Sequence, residues 1–513
     1  MSRNSRLTVL IALAFLIGAA QSASAKSLED RNWIEVRTPN FQIRSILGEK
    51  KTLELARHLE ILRAAVGTVT NVHRTDSPVP TELYFVRKTD DFEDLGIDPA
   101  WEGVFQPGLR RNFIVIRDVP GVDEAYTLNR KYALYLLGDQ GNANYPLWYK
   151  IGFSEYLSTA QVRSDEFILG GANENLLWRV SHFPHIPLRD ILSPKHIDQW
   201  DARREEMFHA ESWMLVYFLI HRPEPGTLSQ AMAHYVELVE SGRDSWDAFE
   251  QAFQISPEDI ETQKFLRSTF SNAPGDFQTQ LLRFFKETVI PVYKLDASEL
   301  LPAFEPEVVA MDREQISLAL AQVALSRRNF SSAYRWFQNA RMDDLSDPQA
   351  EAGLGDVLTA IGKFAEARPH FELAVGFEPK NPYCQLDFGK YWYDRARGSD
   401  DPSERATYLA RARERLVTAW KLDDSIPETY VVYGQTFLLE GQRIDLATEV
   451  LKKAESLLPA NLTIRVLLAK AYLEAGKREN AAGAARSVLA WSNPDSNTAE
   501  LAKEILAESA GNH

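Results

Sequence analysis

From about residue 313 onward the chain repeats itself, and that periodicity limits the possible folds more than any other feature. A small residue follows a large apolar one at Ala321, Gly355, Gly389, Gly434 and Ala469, at intervals of 34, 34, 45 and 35 residues. The third interval is 11 residues longer than the first, and the polar run Arg397-Gly398-Ser399-Asp400-Asp401-Pro402 lies within it. The extra residue of the fourth interval falls near Arg443. A unit of this length holds two helices, and one helix pair cannot bury its apolar face alone. Such units must therefore stack into an elongated array.

The clearest unit reads Leu354-Gly355, Leu358, Ala367, Phe371, Ala374, Pro379. A small residue on each helix lets its partner approach closely, large residues fill the groove between helices, and proline stops the second helix. Ala333, Phe337 and Ala340 repeat the pattern in one neighbour, and Ala447, Leu451, Ala454 and Pro459 in another. These offsets resemble the tetratricopeptide repeat. About five repeats are expected over residues 311–495. A capping helix and tail should follow over 496–513, with Leu501 and Ile505 on one face. The resemblance implies a concave side that binds a protein or peptide, lined here by Gln322, Asp356, Lys390, Tyr393, Gln435 and Lys470. An array that only scaffolds or dimerises fits the same pattern. The lining is mixed in charge and has no Lys/Arg ladder for a terminal carboxylate.

The other end of the chain reads as a leader. Arg3 and Arg6 precede an apolar run over residues 7–20, and Ala23-Ser24-Ala25 supplies small residues for cleavage after Ala25. The apolar run is shorter than the ~20 residues needed to span a bilayer. No cysteine follows it, so a lipid anchor has no acceptor. Periplasmic or secreted localisation is expected, with no membrane span after cleavage. Removing both arginines takes the net charge from −15 to −17, which argues against nucleic acid as a partner. A single cysteine, Cys384, excludes an internal disulfide and any cysteine-rich metal site.

Between leader and repeats, residues 33–37 and 41–45 alternate as two strands around a turn at Pro39-Asn40. Leu53, Ala56, Leu59, Leu62 and Ala65 form one stripe of a helix over 49–69. Strands are expected over 83–86 and 113–116, with an edge strand at 103–108. Helices should follow over about 123–137 and 146–160, and mostly helical chain over 173–289. No Gly-rich phosphate loop, nucleophile elbow or nucleotide fingerprint occurs.

The run Pro146-x-Trp148-x-x-x-Gly152-Phe153-x-Glu155-Tyr156-Leu157-Ser158, after a hairpin, a long helix and a mixed sheet, resembles the peptidase-MA-like (gluzincin-type) domain. The resemblance covers roughly residues 33–290. It implies an α+β gluzincin-like N-terminal domain (26–172) with a helical subdomain (173–310), followed by the all-α tetratricopeptide solenoid. Trp148, Gly152, Glu155 and Tyr156 match the family. Active members carry His-Glu-x-x-His, whose imidazoles bind zinc while the glutamate activates water, and a glutamate ligand before the later glycine. Here Arg130 and Leu134 stand at the histidines, Lys131 at the general base and Ile151 at the glutamate ligand. No histidine occurs between His73 and His182, so no shift of register restores the pair. Cations repel a divalent metal, and Leu and Ile carry no donor. The resemblance therefore implies no metal, no cofactor and no metallopeptidase chemistry.

Two roles remain open for Arg130 and Lys131. They hold a partner's carboxylate beneath an edge strand near Phe105 that pairs with an extended peptide, or they face solvent or pair with Glu124 or Glu155. His182, His185, His196 and His209 are expected as loop and surface histidines, and His234 with Glu237 as a surface pair. Ser154 and Ser158 have no neighbouring histidine, which leaves a serine hydrolase without support. The expected role is an exported, non-catalytic peptidase-like protein that binds or scaffolds a protein or peptide. The alternative is a metal-dependent peptidase or other hydrolase with unrecognised ligands.

Overall fold

The computed structural model describes residues 27–70, 78–138, 143–163, 165–193, 195–197, 199–221, 228–254, 292–300 and 305–511. The expected leader, and the chain over 255–291, lie outside the described residues. No helix among the described residues is long and apolar enough to cross a membrane.

A six-stranded mixed sheet organises the front of the molecule. It contains β1 (Ile34–Arg37), β2 (Gln42–Ser45), β3 (Thr81–Val86), β4 (Gly103–Gln106), β5 (Asn112–Arg117) and a late strand at Glu307–Ala310. Their order is β4-β5-β3-β2-β1 and then the late strand. β3 runs parallel to both β2 and β5, and the outer pairs are antiparallel. Crossover connections supply α1 (Glu49–Thr70) between β2 and β3 and the short α2 (Thr89–Asp94) between β3 and β4.

Strand alternation explains how the sheet is covered. Leu83, Phe85, Ile114 and Ile116 point one way, into a core shared with Leu59 and Leu62 of α1. Tyr84, Val86, Phe113 and Val115 point the other way and are as deeply buried. Strands buried on both faces read as apolar runs, as β3 and β5 do.

After β5 come α3 (Glu124–Leu137) and α4 (Leu147–Ser158), close to the expected spans. A hairpin the periodicity did not signal, β6 (Gln161–Arg163) and β7 (Glu166–Leu169), precedes α5 (Glu174–His182), α6 (Leu188–Leu192), α7 (Ala202–His221), α8 (Leu228–Glu240) and α9 (Ser245–Phe253). The expected helical segment 173–310 does not end as helix. β8 (Tyr293–Asp296) pairs with β7, and β9 (Glu307–Ala310), the late strand, pairs with β1, with the short α10 (Ala297–Leu300) between them. Unlike β1 and β2, which a Pro-Asn turn joins into a hairpin, these short runs lie far in sequence from the strands they pair with. They form because β1 and β7 offer open edges.

The tail is a solenoid of five helix pairs and a final single helix. The pairs are α11 (Arg313–Ser326) with α12 (Phe330–Asp343), α13 (Pro348–Ala360) with α14 (Phe364–Phe377), α15 (Pro382–Arg397) with α16 (Pro402–Leu422), α17 (Pro427–Glu440) with α18 (Ile444–Leu457), and α19 (Leu462–Glu474) with α20 (Arg478–Trp491). The last helix is α21 (Asn497–Ala510). The small-residue rule has direct geometric content. A Cβ on Gly355 would lie 2.8 Å from the Phe371 ring, and one on Gly389 or Gly434 would lie 2.8 Å from Leu416 or Leu451 of the paired helix. The 11 extra residues mostly lengthen helices: α16 runs 21 residues, against 14 in α14 and α18. Asp401 caps α16, with Pro402 at its first turn.

The first helix pair closes the open face of the sheet. Ile316, Leu320 and Val323 of α11, with Trp336 and Phe337 of α12, share one core with Tyr84, Val86, Phe113 and Val115. Trp33 packs edge-on to Tyr84 in the same layer. The far end returns as well: Glu240 of α8 pairs with Arg465 at 3.1 Å and accepts from Trp491 Nε1 at 2.9 Å. The solenoid thus curls around the domain that precedes it.

Candidate functional site: a cleft floored by an ion network

Between α3, α4, α5 and α7 lies a cleft of about 800 Å³, lined by Glu102, Tyr126, Arg130, Glu155, Arg179 and His209 among others. Glu102, one residue before the edge strand β4, is part of this lining. α3 starts on an Asp123 cap that accepts from Ala125 N–H, and α4 starts after Pro146, whose fixed φ suits a helix entrance. The Ser154 hydroxyl donates to the Arg130 carbonyl at 3.1 Å and locks the two helices in register.

Glu155 is the centre of the floor. Its Oε1 receives the Arg130 guanidinium at 2.7 Å and His209 Nδ1 at 2.8 Å, and the Tyr126 hydroxyl donates to Oε2 at 3.3 Å. Asn173 Nδ2 donates in turn to the Tyr126 oxygen at 3.3 Å. Burial pushes the Glu155 carboxyl up, but the Arg130 charge and the His209 bond outweigh it and hold it below the usual range. Glu155 therefore stays ionised at neutral pH. Lys131 lies beside it, and burial followed by the Arg130 charge pushes its ammonium down to about 8.

Each sequence-derived position has a definite place. Arg130 pairs with Glu155, one of the two options open for it. Glu124 is taken by Lys51 at 2.8 Å, so it is no partner for Arg130 or Lys131. Leu134 and Ile151 are partly buried and apolar, as their side chains demand. Trp148, Gly152 and Tyr156 shape the core. Trp148 meets Tyr235 and Phe249 edge-on, Gly152 abuts the Ser212 carbonyl of α7, and the Tyr156 hydroxyl meets His221 Nε2 at 3.1 Å. Among the described residues, no three His, Cys, Asp or Glu side chains converge as metal ligands.

The histidines do not gather. His182 stacks on Trp178, His185 bonds Glu211 at 2.6 Å, and His234 and Glu237 form an exposed pair at 3.7 Å. Expecting His209 as a loop or surface residue was wrong. It sits on α7, mostly shielded, and orients against Glu155, which is 54 residues earlier in the chain. No local pattern signals that meeting, because helix packing alone creates it.

The solenoid groove also departs from expectation. Of the six residues expected to line it for a partner, Asp356 and Lys390 are engaged within the chain. Arg110, from the turn between β4 and β5, reaches Asp387 at 2.5 Å and lies 3.9 Å from Asp356 and 3.8 Å from Glu428. Lys390 pairs with Glu428 at 2.6 Å. Gln322 lines a small cavity beside Arg110, Lys470 lies 3.8 Å from Glu474, and Tyr393 and Gln435 are half-buried. The groove is occupied at Asp356, Asp387 and Glu428 because the β4–β5 turn of the sheet carries Arg110 into it there.

No family model and no curated protein matches the chain. Solved structures similar to it are repeat proteins. A thermophilic tetratricopeptide protein of Thermus thermophilus, TTC0263, is 22% identical over 38% of this chain and 99% of its own, with a TM-score of 0.34. MamA from Desulfovibrio magneticus is 15% identical over 38% of this chain and 97% of its own, at 0.27. Yeast Tom70 is 12% identical over 65% of this chain and 69% of its own, also at 0.27. The helix-pair assignment stands on the packing described above, not on these likenesses.

Proposed function

We propose that this is an exported, non-catalytic relative of peptidase-MA-like domains that captures a protein or peptide segment in its cleft. Its tetratricopeptide-like solenoid, packed on the other face of the sheet, is the scaffold and the larger partner-binding surface. One observation carries the reading: Glu155 of the Gly-Phe-x-Glu-Tyr run is saturated by Arg130 and His209, in the region where active members of the family hold a metal. A guanidinium, leucine and isoleucine at the three ligand positions supply no donors, and Lys131 adds a second cation. The cleft lining mixes Arg130, Arg179 and His209 with Glu102, Asp123, Glu155, Glu205 and Glu206, and the edge strand that follows Glu102 offers its backbone to an extended segment. Metal analysis of the purified chain, together with capture assays on Arg130→Ala and Lys131→Ala, tests this. Sub-stoichiometric zinc and weakened capture are expected. Stoichiometric zinc that leaves with a chelator and takes a peptidase activity with it overturns the reading.

A second reading has one observation in its favour. A carboxylate that orients an imidazole beside a cleft is the base–orienter half of many hydrolytic sites. It requires a hydrolytic activity that disappears in His209→Ala and is independent of added metal.

A further inference from the structure

We propose that the concave groove of the solenoid is an arginine-recognition site held shut in cis, with Arg110 seated in the socket that an arginine of an incoming protein segment would take. The socket is built from successive repeats. Asp356 comes from α13, Asp387 and Lys390 from α15, and Glu428 from α17. The guanidinium donates to Asp387 and to the Tyr383 carbonyl at 3.3 Å, and lies over the Tyr383 ring at 5.0 Å. A planar cation stacked on an aromatic face, with carboxyl groups from three repeats around its edge, favours a guanidinium over an ammonium.

The neighbouring residue extends the recognition. Leu109 packs with Val79 against Tyr430, Val431 and Val450 of the fourth pair. The turn therefore displays an apolar residue followed by arginine, each with its own receptacle. Beside Arg110 an additional space of about 180 Å³ is lined by Gln322, Gln349 and Asn381. Amide side chains there suit the backbone of a longer segment. Without Arg110 the socket holds the Asp387 and Glu428 carboxylates, with Asp356 protonated beside them, against the Lys390 cation, an imbalance that draws in another positive charge. Burial and the Asp387 charge push the Asp356 carboxyl up, in keeping with that excess. A turn tethered to the groove competes at an effective concentration on the order of millimolar, so it blocks weak ligands and yields to strong ones.

The inference rests on the reading that the protein captures a protein segment, and the two fail separately. The probe is a synthetic peptide spanning residues 106–112, blocked at both ends, titrated calorimetrically into the full mature chain. The Arg110→Ala chain should bind it at least about ten-fold more tightly than the parent chain. The same peptide with Ala at the Arg110 position should not bind, and adding Asp387→Asn to the Arg110→Ala chain should abolish binding. Equal affinity for both chains, or for both peptides, overturns the socket. If Arg110→Ala does not fold, hydrogen exchange of the parent chain with excess peptide replaces it. Faster exchange over residues 104–117 supports displacement of the turn, and unchanged exchange overturns it. If the peptide binds as expected while Arg130→Ala and Lys131→Ala leave capture untouched, the socket stands and the cleft reading falls.

Discussion

At the scale of single residues, the molecule is decided by where it buries charge. Glu155 is almost wholly shielded, yet two cationic or imidazole donors and a phenol satisfy it, so its desolvation is offset within one network. Lys131 has the opposite balance, because burial and the like-charged Arg130 both act against its ammonium. At Asp356 the balance depends on pH. It faces Asp387, Glu428, Lys390 and Arg110, and burial first and the Asp387 charge second raise its carboxyl to about 8. An acid whose folded value lies above its unfolded one takes up a proton on folding. Its contribution is complete below the unfolded value and is lost as pH rises through about 8. The urea midpoint should therefore fall between about pH 6 and pH 8, and Asp356→Asn should flatten that slope. A parent chain with no slope in this window would refute the assignment.

At the scale of elements, close approach is bought with glycine. Gly152 sits where α4 crosses α7, and a Cβ there would fall inside contact distance of the Ser212 carbonyl and the Val216 methyl. Backbone does not yield as a flexible side chain does. Gly152→Ala should destabilise by at least about 1–3 kcal/mol, measured by chemical denaturation, and should displace Glu155 on the same helix. A neutral effect would mean that the helices cross less closely than described. Most elements were legible. The stripe over 49–69 and the small-large pattern of the repeats state their own periods, and the Trp148–Glu155 run marked the helix that carries the cleft residue. The strands at 161–163, 166–169, 293–296 and 307–310 were not legible, because each exists only as the partner of another edge.

At the scale of the whole molecule, the sheet and the solenoid form one folding unit. Tyr84, Val86, Phe113 and Val115 share their core with α11 and α12, which lie more than 190 residues further along the chain. A chain ending at residue 312 should expose that face, bind a hydrophobic dye and lose cooperative unfolding, whereas the full chain should unfold with its sheet and first repeats together. A cooperative, dye-silent fragment would show that the two parts are independent. The sequence by itself determined the helix-pair tail and the sheet-and-helix front, since period and side-chain chemistry are local properties. Only the tertiary structure decided that His209 meets Glu155, that Arg110 fills the solenoid groove and that the sheet borrows its second cover from the repeats. Those are contacts between residues tens to hundreds of positions apart, and nothing in either stretch alone records which surface will bury the other.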